Sequence, residues 1–275
     1  LDEIAWLFNI RGADIDYNPV NISFALVTPN KATLFIAEEK ISDKVRNYLN
    51  KFDVNTEAYE NIYQALQTLS GDTIIAIDPN KCNYALKIAI PENVTIKEIS
   101  SPIANMKCIK NETELSGVGR AMVKDGVALV KFWMWLEEKI ENKETVTELD
   151  VIENLHRFRA EQEGFITESF NTIAGYGEHG AIVHYAADKD SNATLKAESF
   201  LLLDSGGQYY DGTTDITRTV ALGKVTQEMK FDYTMVLKGH LALGYQLFPY
   251  GTRGAQLDAI ARQFLWNSEM QYGHG

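Results

Sequence analysis

Two aspartates flank a glycine-rich segment, and their spacing suggests a pair of carboxylates that act together. The segment reads DSGGQYYDGTTDITRT, with Asp204 at the end of one apolar run and Asp215 at the start of another. Two short strand-like runs around a Gly- and Asp-rich centre predict a β-hairpin with a longer connection. If the strands pair about Tyr209 and Tyr210, Asp204 and Asp215 lie opposite each other on one face of the sheet.

Opposed side chains of an antiparallel pair have Cβ atoms about 4.5–5.5 Å apart, so two like charges there repel each other. A pair of ionised carboxylates in a mostly apolar sheet therefore needs a cation, and oxygen ligands at this spacing suit one or two divalent metals. In the alternative interpretation, Asp204 caps a turn and Asp215 is solvated at its exit. The hairpin pattern alone leaves both interpretations open.

His184 is a further residue whose type permits chemistry. It lies in the apolar run AIVHYA, which predicts a strand over Ala181–Ala186. A lone histidine in such a strand is usually a hydrogen-bonded core residue, so its type alone does not assign a role. His179, one loop earlier, is expected to be exposed, and Arg11 and Asp14 are expected to form structural salt links.

The elements that must position these residues divide the chain into two parts. Residues 1–104 predict a compact α/β unit, which ends in a linker expected at Ile99–Asn111. Hydrophobic periodicity and turn residues predict the elements of this unit. The expected strands are Ile4–Ile10, Ser23–Thr28, Lys31–Ala37 and Thr73–Asp78, and the expected helices are Ser42–Phe52 and Tyr59–Leu69.

Residues 105–275 contain the strongest helix pattern of the chain, which starts at the cap-like pair Asn111 and Glu114 and ends near Glu141. The pattern Thr147-x-x-Asp150 opens a second helix. Besides the hairpin, the remaining expected elements are a helix at Glu148–Gly164, with Arg157, Arg159 and Glu161 on its solvated face, a strand at Phe165–Ala174, and helices at Thr226–Phe248 and Gly254–Met270.

Composition limits the classes of function. The net charge of −12 argues against nucleic acid or an anionic membrane as the main partner. The sequence contains only Cys82 and Cys108, without metal-finger spacing, so we expect two reduced thiols in a cytoplasmic protein. No apolar stretch approaches the ~20 residues needed to span a bilayer. The start LDEIAWLF lacks the features of a signal peptide and an initiating Met, and we expect both ends to be truncated.

Three segments resemble one family. The hairpin, the GAIVHYA run and the start LDEIAWLFNIRGADIDYNPV are similar to the pita-bread metallopeptidases, most of all to those of the Xaa-Pro aminopeptidase type. The resemblance implies an α/β (α+β) fold class, with a creatinase-like, non-catalytic α/β domain at 1–104. The first part of a pita-bread catalytic domain is expected to follow at 105–275.

The family assigns roles to matching residues. Asp204 and Asp215 match ligands of a dinuclear metal centre, with Asp215 bridging both ions. His184 matches a histidine that faces this centre and contacts the substrate, and His274 matches one that binds substrate. The family's remaining ligands, a histidine and two glutamates, are expected after Gly275. The implied cofactor is two divalent ions, with manganese expected and cobalt or zinc as alternatives.

The resemblance also implies a reaction. Family members of this type release the N-terminal residue from peptides with proline in the second position, through a hydroxide activated by two metal ions. We expect the parent protein to be a cytoplasmic homodimer with this activity, and the 275-residue chain alone to bind metal weakly and to be inactive. The alternatives are a prolidase, which cleaves Xaa-Pro dipeptides, and a metal-free protein-binding module of the same fold. Creatine amidinohydrolase shares the fold but replaces the metal ligands, which argues against it here.

Overall fold

The computed structural model describes residues 1–273, which divide into two compact units. The first unit contains Leu1–Met122 and Gln208–Thr214, and the second contains Val123–Gly207 and the residues from Asp215 onward. Two 3-10 helices lie at Glu38–Lys40 and Gly177–Ala181. The other elements are, in chain order, α1 (Asp2–Leu7), β1 (Ser23–Thr28), β2 (Lys31–Ile36), α2 (Asp43–Asn50), β3 (Val54–Glu57), α3 (Asn61–Gln67), β4 (Ile74–Ile77), α4 (Tyr84–Ala89), β5 (Thr95–Glu98), α5 (Pro102–Cys108), α6 (Glu112–Glu141), α7 (Glu148–Ala160), β6 (Phe165–Glu168), β7 (Ile173–Tyr176), β8 (Phe200–Ser205), β9 (Gly207–Tyr209), β10 (Gly212–Thr213), β11 (Ile216–Ala221), α8 (Gln227–Gly244) and α9 (Gly254–Trp266).

The first unit begins with a helix, so the strand predicted at Ile4–Ile10 is wrong. Helix α1 has Asp2 and Glu3 in its first turn, where negative charge interacts favourably with the helix dipole. Ala5 and Phe8 are both buried and stand three residues apart, which is the spacing of one helix face. The apolar run is therefore buried by helical packing rather than by the alternation of a strand.

The hairpin predicted in the first unit is confirmed. Strands β1 and β2 pair antiparallel with Thr28 opposite Lys31, and β3 joins β2 in parallel. The predicted helix at 42–52 forms α2, whose N-cap Ser42 accepts a hydrogen bond from Val45 N. The helix predicted at 59–69 and the strand predicted at 73–78 are present as α3 and β4.

The segment expected to be a linker is partly helical, so that prediction is wrong for Pro102–Cys108, which forms α5. Pro102 stands in the first turn of the helix, where its missing N–H costs nothing. Helix α6 then starts as predicted. Asn111 Oδ1 accepts from Glu114 N at 2.9 Å, and Glu114 Oε2 accepts from Asn111 N at 2.9 Å, which forms a reciprocal capping box.

The second unit contains a three-stranded sheet in the order β11-β8-β7, and both of its pairings are antiparallel. Along β8, Leu201 and Leu203 are buried, whereas the alternate residues Leu202 and Asp204 are partly exposed. One face of β8 therefore packs into the core, and the other presents Asp204. The core against the first face is formed by Leu129, Phe132, Leu136, Val146, Val151, Leu155, Ala174, Leu195, Leu201 and Leu203.

Several other predicted elements of the second unit are present, with changed bounds. The predicted capping box of α7, Thr147 with Asp150, is present, and the strand expected at 165–174 is divided into β6 and β7. Both helices predicted after the hairpin are confirmed as α8 and α9. They approach closely at Gly239, where a Cβ atom would stand 2.0 Å from Ala261 O. Within residues 1–273, no helix is long and apolar enough to cross a membrane.

Candidate active site

Asp204 lies on the central strand of the β11-β8-β7 sheet, on the face that points away from the core. Its partners across the two ladders are Ile173 on β7 and Thr217 on β11. A partly buried carboxylate needs hydrogen-bond donors or a cation. Thr217 supplies one donor, because its Oγ1 lies 2.7 Å from Asp204 Oδ1.

Asp215 does not lie directly opposite Asp204, so the predicted opposition of the two carboxylates is wrong. Strands β9 and β10 pair with Tyr209 opposite Gly212, which leaves a two-residue turn between them. The centre of this turn is one residue later than expected, and cross-strand partners therefore shift by two positions. A shift of two preserves the face. Asp215 directly precedes β11, and strand alternation continued by one residue would put it on the side of Thr217, diagonal to Asp204.

The two aspartates fit a divalent metal as part of a ligand set. Diagonal positions of an antiparallel pair are about 7–8 Å apart, a distance that a cation with its ligand oxygens can bridge. Asp204 is partly exposed and Asp215 is exposed, so both are accessible from solvent. In the described part of the chain, no group of three or more His, Cys, Asp or Glu side chains could hold a metal. Asp204 and Asp215 would therefore form only part of a metal site, and a complete site needs further ligands.

The strand predicted at Ala181–Ala186 is wrong, and His184 lies in a turn instead. Tyr185 N donates to Ile182 O at 3.2 Å, which closes a four-residue turn with His184 in its third position. His184 has a φ of 54°, in the left-handed region where histidine is found more often than most non-glycine residues. Its side chain is exposed, and Tyr185 beside it is buried.

Two glycines place the segment before this turn against the Asp204 face. Gly175 on β7 pairs with Leu202 on β8, which shares its face with Asp204. A Cβ atom on Gly175 would stand 2.8 Å from Gly180 N, and one on Gly180 would stand 3.5 Å from Leu202 Cβ. The 3-10 helix Gly177–Ala181 therefore lies directly on the sheet, and His184 follows three residues later.

Arg11 and Asp14, the two residues expected to form structural salt links, make hydrogen bonds within the first unit. Arg11 Nη1 donates to the carbonyl oxygens of Ala5 and Ile10, and Asp14 pairs with Lys40 Nζ at 2.7 Å. The structural role predicted for both is thus supported, although Asp14 pairs with Lys40 and not with Arg11. The remaining predicted site residue, His274, lies outside the described residues.

Arg159 was predicted on the solvated face of α7, and this prediction is wrong. The side chains of Arg159 and Asp125 are completely buried, with Arg159 Nε 2.7 Å from Asp125 Oδ1. Arg159 Nη2 also donates to Ser205 Oγ at 3.1 Å, next to Asp204 in the chain. Val151, Leu155 and Arg159 are four residues apart, so helical spacing could have identified the buried position.

His179 was expected to be exposed, and this prediction is also wrong. Its Nδ1 lies 2.9 Å from Oε1 of Glu148, whose side chain is completely buried at the start of α7. The His179 ring also stacks on Tyr185, with ring centroids 4.5 Å apart. The contacts among Glu148, His179 and Tyr185 could not be predicted from the sequence. Glu148 follows a helix cap, where an acidic residue is common, so its type gave no sign of burial.

Two family models match the chain. Residues 1–114 match the creatinase/prolidase N-terminal domain, and residues 117–275 match metallopeptidase family M24. Together with the mixed helices and strands, these matches confirm the predicted fold class of a creatinase-like domain followed by pita-bread metallopeptidase residues. The boundary between residues 104 and 105 stays a prediction.

Comparison with individual proteins confirms the resemblance to Xaa-Pro aminopeptidases. The probable Xaa-Pro aminopeptidase P of Sordaria macrospora is 43% identical over 285 residues, which cover 100% of this chain and 46% of the relative. The crystal structure of X-prolyl aminopeptidase from Caenorhabditis elegans, described as a cytosolic enzyme with a di-nuclear active site, matches with a TM-score of 0.91 and 34% identity. That match covers 100% of this chain and 46% of the other.

The chain thus spans about half the length of these relatives. The Xaa-Pro dipeptidase from Bacillus anthracis matches with a TM-score of 0.72 over 97% of this chain and 71% of its own, at 20% identity. At that identity the likeness establishes a shared fold alone, and it does not distinguish between the two peptidase types.

Proposed function

Because more than half of the chain matches metallopeptidase family M24, the chain belongs to that family, and we propose that it forms part of an Xaa-Pro aminopeptidase. The proposed reaction is hydrolysis of the peptide bond between an N-terminal residue and a proline in the second position. The main support is the pairing of Asp204 with Thr217, two residues after Asp215, at the start of β11. It occurs in a chain that is 43% identical to a probable Xaa-Pro aminopeptidase P.

Asp204 and Asp215 would hold the metal in this proposal. Thr217 orients Asp204 through its hydroxyl group, as outer partners of ligand carboxylates do. When bound, two divalent ions lower the pKa of a water molecule to about 7 and polarise the scissile carbonyl. We propose manganese, with cobalt or zinc as alternatives, because both proposed ligands supply oxygen atoms.

The histidines would act on the substrate. His184 is exposed on a turn that follows the 3-10 helix Gly177–Ala181, so its imidazole is accessible from solvent to a bound peptide. An imidazole N–H in this position donates a hydrogen bond to the peptide carbonyl and stabilises negative charge on its oxygen. His274 keeps its predicted role in substrate binding. The bond before proline is a tertiary amide without an N–H, so recognition depends on the proline ring and the free N-terminus.

The remaining features of the proposal concern the whole protein. The relative's greater length supports a longer polypeptide that supplies the other metal ligands, so we propose that the 275-residue chain alone binds metal weakly and lacks activity. We further propose a non-catalytic domain over residues 1–104, a homodimer, and a cytoplasmic location.

Turnover by the full-length protein, meaning the complete polypeptide that contains this chain, tests the proposal. With Mn²⁺ present, we expect release of arginine from Arg-Pro-Pro and a much lower rate on the dipeptide Arg-Pro. Asp204→Asn and Asp215→Asn should each abolish the release. Preference for the dipeptide would favour a prolidase, and metal binding below one equivalent without turnover would favour the protein-binding module.

A further inference from the structure

Glu148 forms a buried hydrogen-bonding centre that the proposed chemistry does not use. It is the first residue of α7, and its side chain is completely buried. Oε1 accepts from Tyr176 N at 2.8 Å and bonds to His179 Nδ1 at 2.9 Å. Oε2 accepts from the Tyr185 hydroxyl at 2.8 Å and from Ala193 N at 2.9 Å. Four donors therefore converge on one carboxylate.

All four donors belong to one continuous segment, residues 176–193, which connects β7 to the residues before β8. His184 lies inside this segment, directly before the Tyr185 anchor. The Tyr185 hydroxyl oxygen also lies 2.9 Å from Ser191 O, and Asp188 Oδ1 accepts from Ser191 N at 2.8 Å. Hydrogen bonds to Glu148 thus hold both ends of the segment, and hydrogen bonds around Ser191 hold its middle.

Burial of a carboxylate without hydrogen-bond donors is strongly unfavourable, so these four donors are needed for Glu148 to be buried. The segment has no regular strand to fix its path after Ala181, so these hydrogen bonds replace a backbone ladder. They also account for the unusual turn at His184, since Tyr185 must reach Glu148 while Ile182 O accepts from its N–H at 3.2 Å. The left-handed φ of His184 satisfies both requirements.

We infer that Glu148 is a positioning residue, which sets the place of His184 by holding the 176–193 segment through four hydrogen bonds. His184 acts on substrate only in the proposed function, so this role of Glu148 rests on that function. Glu148 itself is buried and does not contact the substrate.

Hydrogen exchange in the full-length protein tests whether Glu148 holds the 176–193 segment in place. In Glu148→Gln, the new amide group places N–H donors where donors of the segment now point. We expect amides in 177–193 to exchange about tenfold faster or more, while those of β8 and α6 keep their rates. Glu153→Gln makes the same chemical change at an exposed site of the same helix, and it should leave exchange unaltered.

A milder variant covers the case in which Glu148→Gln does not fold. Tyr185→Phe removes one hydroxyl from the centre, and we expect exchange in 182–193 to rise about fivefold. Tyr176→Phe is its control, since the Tyr176 hydroxyl bonds to Glu198 O at 3.1 Å and not to Glu148. Unchanged exchange in Tyr185→Phe, or an equal rise throughout both units, would overturn the inference.

A double-mutant cycle on Arg-Pro-Pro hydrolysis tests the connection to His184. We expect Glu148→Gln to lower kcat/KM about tenfold or more in the wild-type background and to have little further effect in His184→Ala. Full additivity would overturn the positioning role. If Asp204→Asn retains activity, the proposed function fails while the exchange result stands. If Asp204→Asn is inactive but exchange is unchanged, only the role of Glu148 fails.

Discussion

Thr217, and not Asp215, lies directly across the antiparallel ladder from Asp204, and its hydroxyl donates a 2.7 Å hydrogen bond to the Asp204 carboxylate. A donor in this position limits rotation of the carboxylate, and in the proposed site it would orient the carboxylate toward the metal. Asp215 is exposed and stands two residues before Thr217, just outside β11. The two aspartates would therefore approach a cation from different positions along the chain, and Asp204 has the Thr217 hydroxyl directly beside it.

Thr217→Val should weaken metal binding without changing the fold, because valine keeps the shape and loses the donor. We expect the Mn²⁺ affinity of the full-length protein to fall about tenfold or more. Titration followed by electron paramagnetic resonance measures this directly. Thr219→Val is the matched control on the same strand, since Thr219 pairs with Leu202. An equal loss of affinity in both variants would contradict an orienting role for Thr217.

Gly175→Ala should disturb the 3-10 helix that precedes the His184 turn. Its Cβ atom would stand 2.8 Å from Gly180 N, a backbone atom that can move only with its segment. We expect lower kcat on Arg-Pro-Pro and a lower midpoint of thermal unfolding. Gly180→Ala is the control, because the nearest atoms to its Cβ are at 3.4 and 3.5 Å, which is ordinary contact. Equal effects of the two variants would exclude the close approach as the cause.

Asp125→Ala should destabilise the second unit strongly, because it leaves the Arg159 guanidinium buried without its partner. We expect a loss of about 3–5 kcal/mol in the free energy of unfolding, measured with urea. Replacing both residues, as Asp125→Ala with Arg159→Met, should recover part of this loss. Within residues 1–273, Arg159 Nη1 already lacks a hydrogen-bond partner, which adds to the cost of its burial.

The exposed pair Lys131 and Glu161 is the control for this prediction. It also joins α6 to the end of α7, with Nζ and Oε2 2.8 Å apart, but both side chains are more than 40% exposed. We expect Lys131→Ala to cost less than about 1 kcal/mol. A similar loss of unfolding free energy in Asp125→Ala and Lys131→Ala would contradict the prediction that burial makes the Asp125–Arg159 pair important for stability.

Acid should remove a stabilising contribution of Asp14. The hydrogen bond from Lys40, together with that from Ile22 N, holds the pKa of Asp14 below its ordinary value of 3.8. A carboxylate with a lowered pKa in the folded state stabilises the fold above pH 3.8, and this stability is lost as pH falls through the lower value. The difference in unfolding free energy between wild type and Asp14→Asn should therefore shrink from about pH 5 to about pH 2. A constant difference over this range would contradict the assignment.

Local patterns predicted most helices and the two hairpins, because helix caps and hydrophobic periodicity depend only on residues close in sequence. Asn111 with Glu114 and Thr147 with Asp150 formed the capping boxes that their spacing predicted. The hairpin register was less predictable, since moving the turn by one residue replaces Asp215 with Thr217 as the partner of Asp204. Nothing in the segment DSGGQYYDGTTDITRT selects one turn centre over the other by composition alone.

Contacts between residues distant in sequence explain the predictions that were wrong. The run AIVHYA has the composition of a strand, but Glu148, more than thirty residues earlier, captures the Tyr185 hydroxyl and leaves His184 in a turn. Arg159 is charged and was therefore expected in solvent, although it shares a helical face with Val151 and Leu155. In both cases a buried polar contact over long sequence separation outweighed the local preference.

We propose that Asp204 and Asp215 are metal ligands of a dinuclear peptidase site, and metal analysis of the dialysed full-length protein is the sharpest test of this claim. We expect about two equivalents of divalent metal in the wild type, as in a di-nuclear site. Asp204→Asn and Asp215→Asn should each retain fewer than one, with unchanged circular dichroism. Wild-type protein with less than one equivalent, or variants that keep the full metal content, would contradict the claim.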